Sequence, residues 1–349
     1  MAALACGVGL TACSSTVMKH EHAQEILRND EFDKAFKVQE VSDHLPPSGE
    51  YVRLPGPTPE PGAFKKLKHE KVAKAPRRGK KSAVTEIVAP TPEATPAARQ
   101  PEFEDSEGFE GRRPKVDPFR VGEKVTLTVS YFAVSAGDIT VEVRPFVQVD
   151  GRKSYHFAGT AISTSVFAMF YAVDDWFETF VDFDTLLPYS YALHVKETKQ
   201  LREARSLFDW KKMRAFFWDK KINNEGKVEE KKQEWDLAPY SQNIFTAAYY
   251  LRNAKLEVGK KLAFNLSHEN ENLRVTAEVL RKEHLSTVAG EFDTVVVKPK
   301  IEINGAFKPV GDIFVWMTDD DRKFIVRIES KIKIGKIVGV LKGLDRGQP

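Results

Sequence analysis

The chain has 349 residues and a formal net charge of +3, and its length allows one large domain or two small ones. The modest net charge conceals two different halves: 13 of the 19 prolines fall within the first 118 residues, whereas all five tryptophans come later. The two cysteines, Cys6 and Cys13, both lie in the first part. This excludes a disulfide framework and thiolate chemistry in the second part.

The amino terminus contains a lipobox-like string, Leu10-Thr11-Ala12-Cys13, after a run of small and apolar residues. No Lys or Arg lies between Met1 and Val17, so the basic start of a signal peptide is missing. Either translation begins upstream and Cys13 is lipidated, or the string is accidental in an Ala-rich terminus. The polar, Pro-rich sequence that follows favours the lipoprotein, with residues 1–13 as a truncated signal segment. The terminus resembles those of Gram-negative lipoproteins, in which an Asp directly after the lipidated cysteine favours the inner membrane. With Ser14 at that position, the resemblance implies the outer membrane.

Residues 14–118 are predicted to form a disordered linker rich in Pro and Lys, because they lack the apolar mass needed to fold. Apolar residues within 20–38 are spaced as in a short amphipathic helix. The segment 65–81 carries nine Lys or Arg and a single Glu. It is interpreted either as a solvated tether or as a contact for phosphate or carboxylate polymers of the cell envelope. Nucleic acid is not expected as a partner, because no aromatic residues are interleaved with these charges.

From residue 119 the sequence alternates between apolar and polar residues, as in β-strands. Runs at 125–134, 139–149 and 154–163 predict three strands, and Asp150-Gly151 predicts a tight hairpin turn between the last two. Further runs continue to the closing segment IVGVLKGL, interrupted by one predicted helix at 240–253, whose inward face would contain Ile244, Ala247, Ala248 and Leu251. We therefore expect a mainly β domain over 119–344: a large antiparallel curved sheet or open barrel of about a dozen strands around that helix.

Several segments occur in an order that resembles a bacterial envelope family known as domain of unknown function 3108. They include the segment FRVGEKVTLTVSYFAVSAGDITVEV, the helix FTAAYYLRN and the segment FVWMTDDDRKFIVRIES. The elements that carry the resemblance are Gly122-Glu123, Tyr131, Gly137, Asp175, Asp182, Pro188, Arg252, Gly290 and Trp316. The family usually has a Pro shortly after the Asp-rich turn, where this chain has Lys323-Phe324. The resemblance implies a fold and an envelope location, and no reaction.

Motifs for familiar chemistry are missing from the sequence. It contains no G-x-S-x-G, P-loop, G-x-G-x-x-G or H-E-x-x-H string, and the histidines after residue 119 fall in separate predicted strands. Asp319-Asp320-Asp321 lacks the Gly and Glu of a calcium-binding loop, so a polar turn is expected there. No catalytic residue, metal site or cofactor is predicted.

Aromatic residues are concentrated at 167–180 and 208–218. They would either fill a large core or line a partly open groove. For the groove, the predicted ligand-binding residues are Tyr171, Asp175, Trp176, Trp210 and Trp218. Two functions follow. The first is an outer-membrane lipoprotein, facing the periplasm or the surface, that binds an envelope lipid, glycan or protein without catalysis. The alternative is a glycan-acting hydrolase that uses the Asp-rich loops.

Overall fold

The computed structural model describes residues 29–41, 113–303, 306–307 and 312–348. Cys13, the basic segment 65–81 and most of the predicted linker lie outside these ranges. Within them, almost all regular structure is β. The strands are β1 Val38–Glu40, β2 Glu123–Tyr131, β3 Val134–Val149, β4 Arg152–Ser163, β5 Asp174–Asp182, β6 Pro188–Lys196, β7 Gln200–Asp209, β8 Arg214–Asn223, β9 Val228–Asp236, β10 Lys261–His268, β11 Glu271–Thr287, β12 Gly290–Ile303, β13 Ala306–Phe307, β14 Ile313–Thr318, β15 Ile325–Lys331 and β16 Lys336–Arg346. The helices are α1 Asp30–Ala35, α2 Ser165–Ala168 and α3 Thr246–Arg252.

The described strands form one antiparallel sheet. Its order is β10-β11-β12-β14-β15-β16-β2-β3-β4-β5-β6-β7-β8-β9, with β1 added to β3 and β13 to β12. The two edge strands approach each other: the Trp235 indole N–H of β9 donates to Ser267 Oγ of β10 at 2.9 Å. Between them, Gln242 forms a parallel bridge with Leu266. The predicted fold class, a large curved antiparallel sheet resembling an open barrel, is confirmed.

The β3–β4 hairpin shows how local sequence sets the strand register. Asp150 and Gly151 both have positive φ, 50° and 74°, the conformation that matches the twist of a two-residue hairpin. At the other end of β3, Gly137 permits a close approach, because a Cβ there would lie 2.4 Å from the carbonyl oxygen of Ile162. The sheet therefore needs glycine at that position.

Helix α3 lies on the inner side of the curved sheet. The ring of Tyr249 stacks on Phe157 of β4 with centroids 3.8 Å apart, and the helix buries Tyr250 and Leu251 in the same core cluster. The predicted helix at 240–253 is confirmed only over Thr246–Arg252. Its predicted inward face was wrong at Ile244, which is 42% exposed because it precedes the helix.

A buried ion cluster joins distant parts of the chain at the end of the sheet where β2 begins. Arg252 of α3 donates to both carboxylate oxygens of Glu123, at 2.5 and 3.1 Å. It also donates to the carbonyl oxygens of Pro118 and Arg322. The side chain of Arg322 donates to Glu123 at 2.9 Å. Two guanidinium groups thus share one buried carboxylate, and further N–H groups donate to backbone carbonyl oxygens, so the buried groups are hydrogen-bonded as burial requires.

Part of the predicted linker folds onto the domain. The Phe32 ring of α1 packs on Trp218 of β8 with centroids 6.0 Å apart, and Phe36 packs on Phe180 of β5 at 5.5 Å. Strand β1 then pairs with residues 147–149 of β3. The segment 29–41, called here the docked segment, thus crosses the outer face of the sheet from β8 to β3. In the described part of the chain no helix combines the length and apolar character needed to cross a membrane.

Candidate functional site

Trp176 lies on the outer face of the sheet. Its neighbour Phe177 faces inward and stacks on Phe245, just before α3, at 4.2 Å. Since side chains alternate along a strand, Trp176 and Glu178 face the other way. Trp176 is partly exposed, opposite Thr160 on β4 and His194 on β6.

The two sides of the Trp176 indole differ. The His194 ring stacks on it with centroids 5.6 Å apart and planes at 19°, and the guanidinium of Arg205 lies 5.8 Å from the indole. On β4, the outward residue opposite it is the small Thr160, and the diagonal neighbours are the buried Ala158 and the 53% exposed Ile162. The indole therefore stands as a step beside the small Thr160.

Charged groups of both signs surround this step. His156 Nε2 lies 3.1 Å from Glu178 Oε2, and this hydrogen bond lowers the pKa of Glu178. Glu203 contacts His194 and accepts a hydrogen bond from Arg205 at 2.8 Å. These side chains are hydrogen-bonding groups held in place by one another on the outer face.

Tyr171 and Asp175 lie where β5 begins. The Tyr171 hydroxyl donates to Glu197 at 2.6 Å, and Asp175 accepts the backbone N–H of Lys196 at 2.9 Å. Burial raises the pKa of Asp175 to about 6, with a further contribution from the Glu197 charge. Both residues connect the start of β5 to the β6–β7 turn, next to Trp176 in the chain.

The two remaining predicted residues have different surroundings. Trp210 is 5% exposed, belongs to an inner core cluster and donates its indole N–H to the Pro188 carbonyl at 2.7 Å. It is a packed core residue in this structure. Trp218 lies on the outer face of β8, where its indole N–H donates to Glu31 of the docked segment at 3.0 Å. Trp176 and Trp218 thus share a face, and Trp210 does not belong to it.

Sequence reasoning missed the polar partners of Trp176. His194, Arg205 and Glu203 come from β6 and β7, and only the strand register brings them beside β5. Period-2 alternation could have placed Glu178 on the same face as Trp176, but cross-strand neighbours cannot be read from one strand. Among the described residues, no group of His, Cys, Asp or Glu is arranged to hold a metal ion.

A protein-family model described as "Protein of unknown function (DUF3108)" matches residues 126–342. The chain belongs to this family. The resemblance drawn from the sequence is confirmed, and the DUF3108 region contains all five predicted ligand-binding residues. No curated protein matches the chain.

Three solved structures resemble the DUF3108 chain at low identity. A beta-barrel-like protein of domain of unknown function DUF1849 from Brucella abortus is 12% identical, with a TM-score of 0.42 over 66% of this chain and 98% of that one. A Bacteroides fragilis protein with a YmcC-like fold, for which export has been suggested, is 9% identical. Its TM-score is 0.29 over 66% of this chain and 98% of that one. A Parabacteroides distasonis protein with a suggested lipoprotein assignment is 10% identical, with a TM-score of 0.27 over 67% and 100%.

Proposed function

We propose that the protein is a non-enzymatic binding module of the bacterial cell envelope that binds a glycan on its outer face beside Trp176. The observation that carries this proposal is the asymmetric setting of the indole. His194 and Arg205 support one side of the ring, while the neighbouring strand offers the small Thr160 and the exposed apolar Ile162. A flat ligand can lie over Thr160, between the indole and Ile162.

The chemistry of this face suits a sugar. The π face of an indole carries partial negative charge and attracts the slightly positive C–H groups of a pyranose ring. Sugar hydroxyls need both donors and acceptors, and Arg205, Glu178 and His156 supply them around the step. Small-ligand sites in general combine an apolar contact surface with a few polar groups that fix orientation.

The Asp-rich segments fit structural roles better than hydrolysis. Asp182 is fully buried and accepts hydrogen bonds from Arg152 and Tyr189 at 2.5 and 2.7 Å. Asp320 accepts from the Thr318 hydroxyl at 2.7 Å and from backbone N–H groups of its own turn. A glycosidase needs two carboxyl groups that face each other across a cleft, whereas these carboxylates hold turns together.

The location is part of the proposal. Lipidation of Cys13 would anchor the protein in the outer membrane, with the domain in the periplasm or at the surface. Within the envelope, the basic segment 65–81 would contact anionic polymers. Both features lie outside the described residues and are supported by the sequence patterns alone.

Binding to insoluble peptidoglycan sacculi and to a glycan array tests the proposal. We expect the full chain carrying Cys13→Ser to bind, and Trp176→Ala in that background to weaken binding at least tenfold with little change in the unfolding midpoint. The matched control is Phe216→Ala, a partly exposed aromatic that stacks on Trp218 and should keep binding. Trp210→Ala should instead destabilise the domain by about 3–5 kcal/mol, as buried Trp substitutions do.

Three outcomes would contradict the proposal. Trp176→Ala could bind as well as the parent chain, which would remove the indole from the site. The parent chain could release soluble fragments from the sacculi, which would indicate the hydrolase. A lipid recovered by native mass spectrometry from the parent chain and lost in Trp176→Ala, with no glycan retained, would assign the face to another ligand.

A further inference from the structure

Three connections at one end of the sheet contact each other and form a continuous surface, called here the tip surface. It comprises residues 131–136 at the β2–β3 turn and the strand ends beside it, residues 164–171 between β4 and β5, and residues 331–336 at the β15–β16 turn and the strand ends beside it. The Tyr131 hydroxyl donates to the Ile334 carbonyl at 3.0 Å. The backbone N–H of Thr164 donates to the Ala136 carbonyl at 2.9 Å.

The tip surface exposes large apolar side chains. Six of them leave more than half of their surface open to solvent: Phe170 (76%), Ile334 (66%), Phe132 (63%), Val166 (60%), Met169 (58%) and Val134 (56%). The Phe132 ring packs against Gly335, with a ring carbon 3.0 Å from the position that a Cβ would occupy there. This contact supports the ring from one side, and the other side is exposed. A concentration of exposed apolar groups of this kind marks an interaction surface.

The charges on the tip surface have one sign. The 331–336 connection reads Lys-Ile-Lys-Ile-Gly-Lys, with three positive charges, and the 131–136 and 164–171 connections contain no charged residue. Lys336 and Lys331 lie near Glu329 and Asp312, at 3.1 and 3.6 Å, in ion pairs whose lysines remain more than half exposed. Such exposed pairs contribute little and leave the ammonium groups available to other anions.

We infer that the tip surface docks on an anionic lipid bilayer. The apolar side chains would enter the boundary between headgroups and acyl chains, while the alternating lysines would reach the phosphates beside them. A protein partner is a poorer match, because lysine is depleted in the centre of protein interfaces. This inference is independent of the glycan site, which lies on the outer face of β4–β7.

Vesicle flotation tests the inference with the full chain carrying Cys13→Ser, so that no acyl group contributes. We expect the protein to float with vesicles of phosphatidylethanolamine and phosphatidylglycerol at about 3:1, and much less with pure phosphatidylcholine. The combined change Phe132→Ser, Phe170→Ser and Ile334→Ser should lower the bound fraction at least tenfold at an unchanged unfolding midpoint. The matched control is Val258→Ser with Val288→Ser, which removes exposed apolar residues (51% and 88%) elsewhere and should bind normally.

The lysines are tested separately. Lys331→Gln, Lys333→Gln and Lys336→Gln together should lower binding to the anionic vesicles severalfold, and added salt should remove the difference from the parent chain. The inference fails if the parent chain does not float, or if the triple Ser variant floats equally well. It also fails if that variant abolishes self-association of a chain that never bound vesicles, since the surface would then serve a second copy.

The two proposals can fail independently. Trp176→Ala should leave vesicle binding unchanged, and the triple Ser variant should leave glycan binding unchanged.

Discussion

Opposing influences act on the carboxyl group of Asp175. The backbone N–H of Lys196 stabilises the ionised form, whereas burial and the nearby Glu197 charge disfavour it. Burial dominates, and the pKa rises from 3.8 to about 6. The ionised carboxylate at neutral pH is therefore a cost to the fold at the start of β5.

This cost predicts a pH dependence of stability. A carboxyl group with a raised pKa in the folded state contributes stability below its unfolded pKa, and that contribution is lost as the pH rises through about 6. Asp175→Asn keeps an oxygen that can accept the Lys196 N–H and removes the charge. We expect the midpoint of this variant, relative to the parent chain, to rise between pH 4 and pH 7.5 in thermal unfolding.

The neighbouring Asp174 provides the control for that measurement. Its side chain is 53% exposed and lies 3.5 Å from Lys196 Nζ, so Asp174→Asn should show no comparable pH trend. A difference between Asp175→Asn and the parent chain that stays constant with pH would contradict the assignment of the raised pKa to Asp175.

At the scale of elements, the docked segment covers outer-face aromatics that would otherwise be exposed. Phe32 is 8% exposed and packs on Trp218 and Phe36, while Asn29 caps α1 by accepting the Phe32 N–H. A six-residue helix is too short to be stable alone. Contacts with the sheet therefore hold it in place.

Removal of the Phe32 ring should release this segment. We expect Phe32→Ala to weaken docking by about 3 kcal/mol, the lower end for a buried Phe. Hydrogen exchange at residues 38–40 should become faster and Trp218 should become more accessible to a fluorescence quencher. Lys37→Ala, in the same segment but exposed, should change neither. Unchanged exchange in Phe32→Ala would mean that β1 pairing alone holds the segment.

The elements show where the sequence was sufficient and where it was not. Alternation and Asp150-Gly151 predicted the β3–β4 hairpin correctly, because both signals are local. The helix predicted from residue 240 begins only at Thr246: Asn243 Oδ1 accepts the N–H groups of Phe245 and Thr246, and Gln242 pairs with β10. Sheet contacts there override helix propensity.

Local sequence patterns could not identify contacts between residues that are far apart in the chain. Glu123 and Arg252 were both singled out by the family resemblance, yet they are 129 residues apart and meet only in the folded sheet. Apolar and polar residues alternate over 324–334, although β15 ends at Lys331 and the chain turns back there into β16. Because the alternation is continuous, the sequence did not indicate this turn or the part of the tip surface that it forms.

On the scale of the whole molecule, residues 42–112 connect two points that are both fixed on the domain. Val41 follows β1, and the Arg113 guanidinium donates to the carbonyl oxygens of Phe183 and Asp184 at 2.6 and 2.7 Å. The connection is therefore closed at both ends by the fold.

Deletion of residues 45–101 tests this closure. It leaves 14 residues, 42–44 and 102–112, to join the fixed points, and these can span at most about 50 Å. We expect the thermal midpoint to stay the same or to rise by a few degrees, because a shorter connection costs less entropy to close. A fall of several degrees would show that the deleted residues themselves pack on the sheet.

The docked segment also sets how far the domain can stand from an anchor. If the lipid is on Cys13, the segment between the anchor and the domain ends at Asn29, 16 residues away, and its maximum extended length is about 55 Å. Without docking, this segment would end at Arg113, 100 residues away, and its maximum extended length would be about 350 Å. With the shorter segment, the domain stays near the bilayer that holds its anchor, where the tip surface can contact lipid. Cleavage anywhere within residues 42–112 would then leave the domain attached to the membrane through β1. Release of the domain would first require β1 to dissociate from β3.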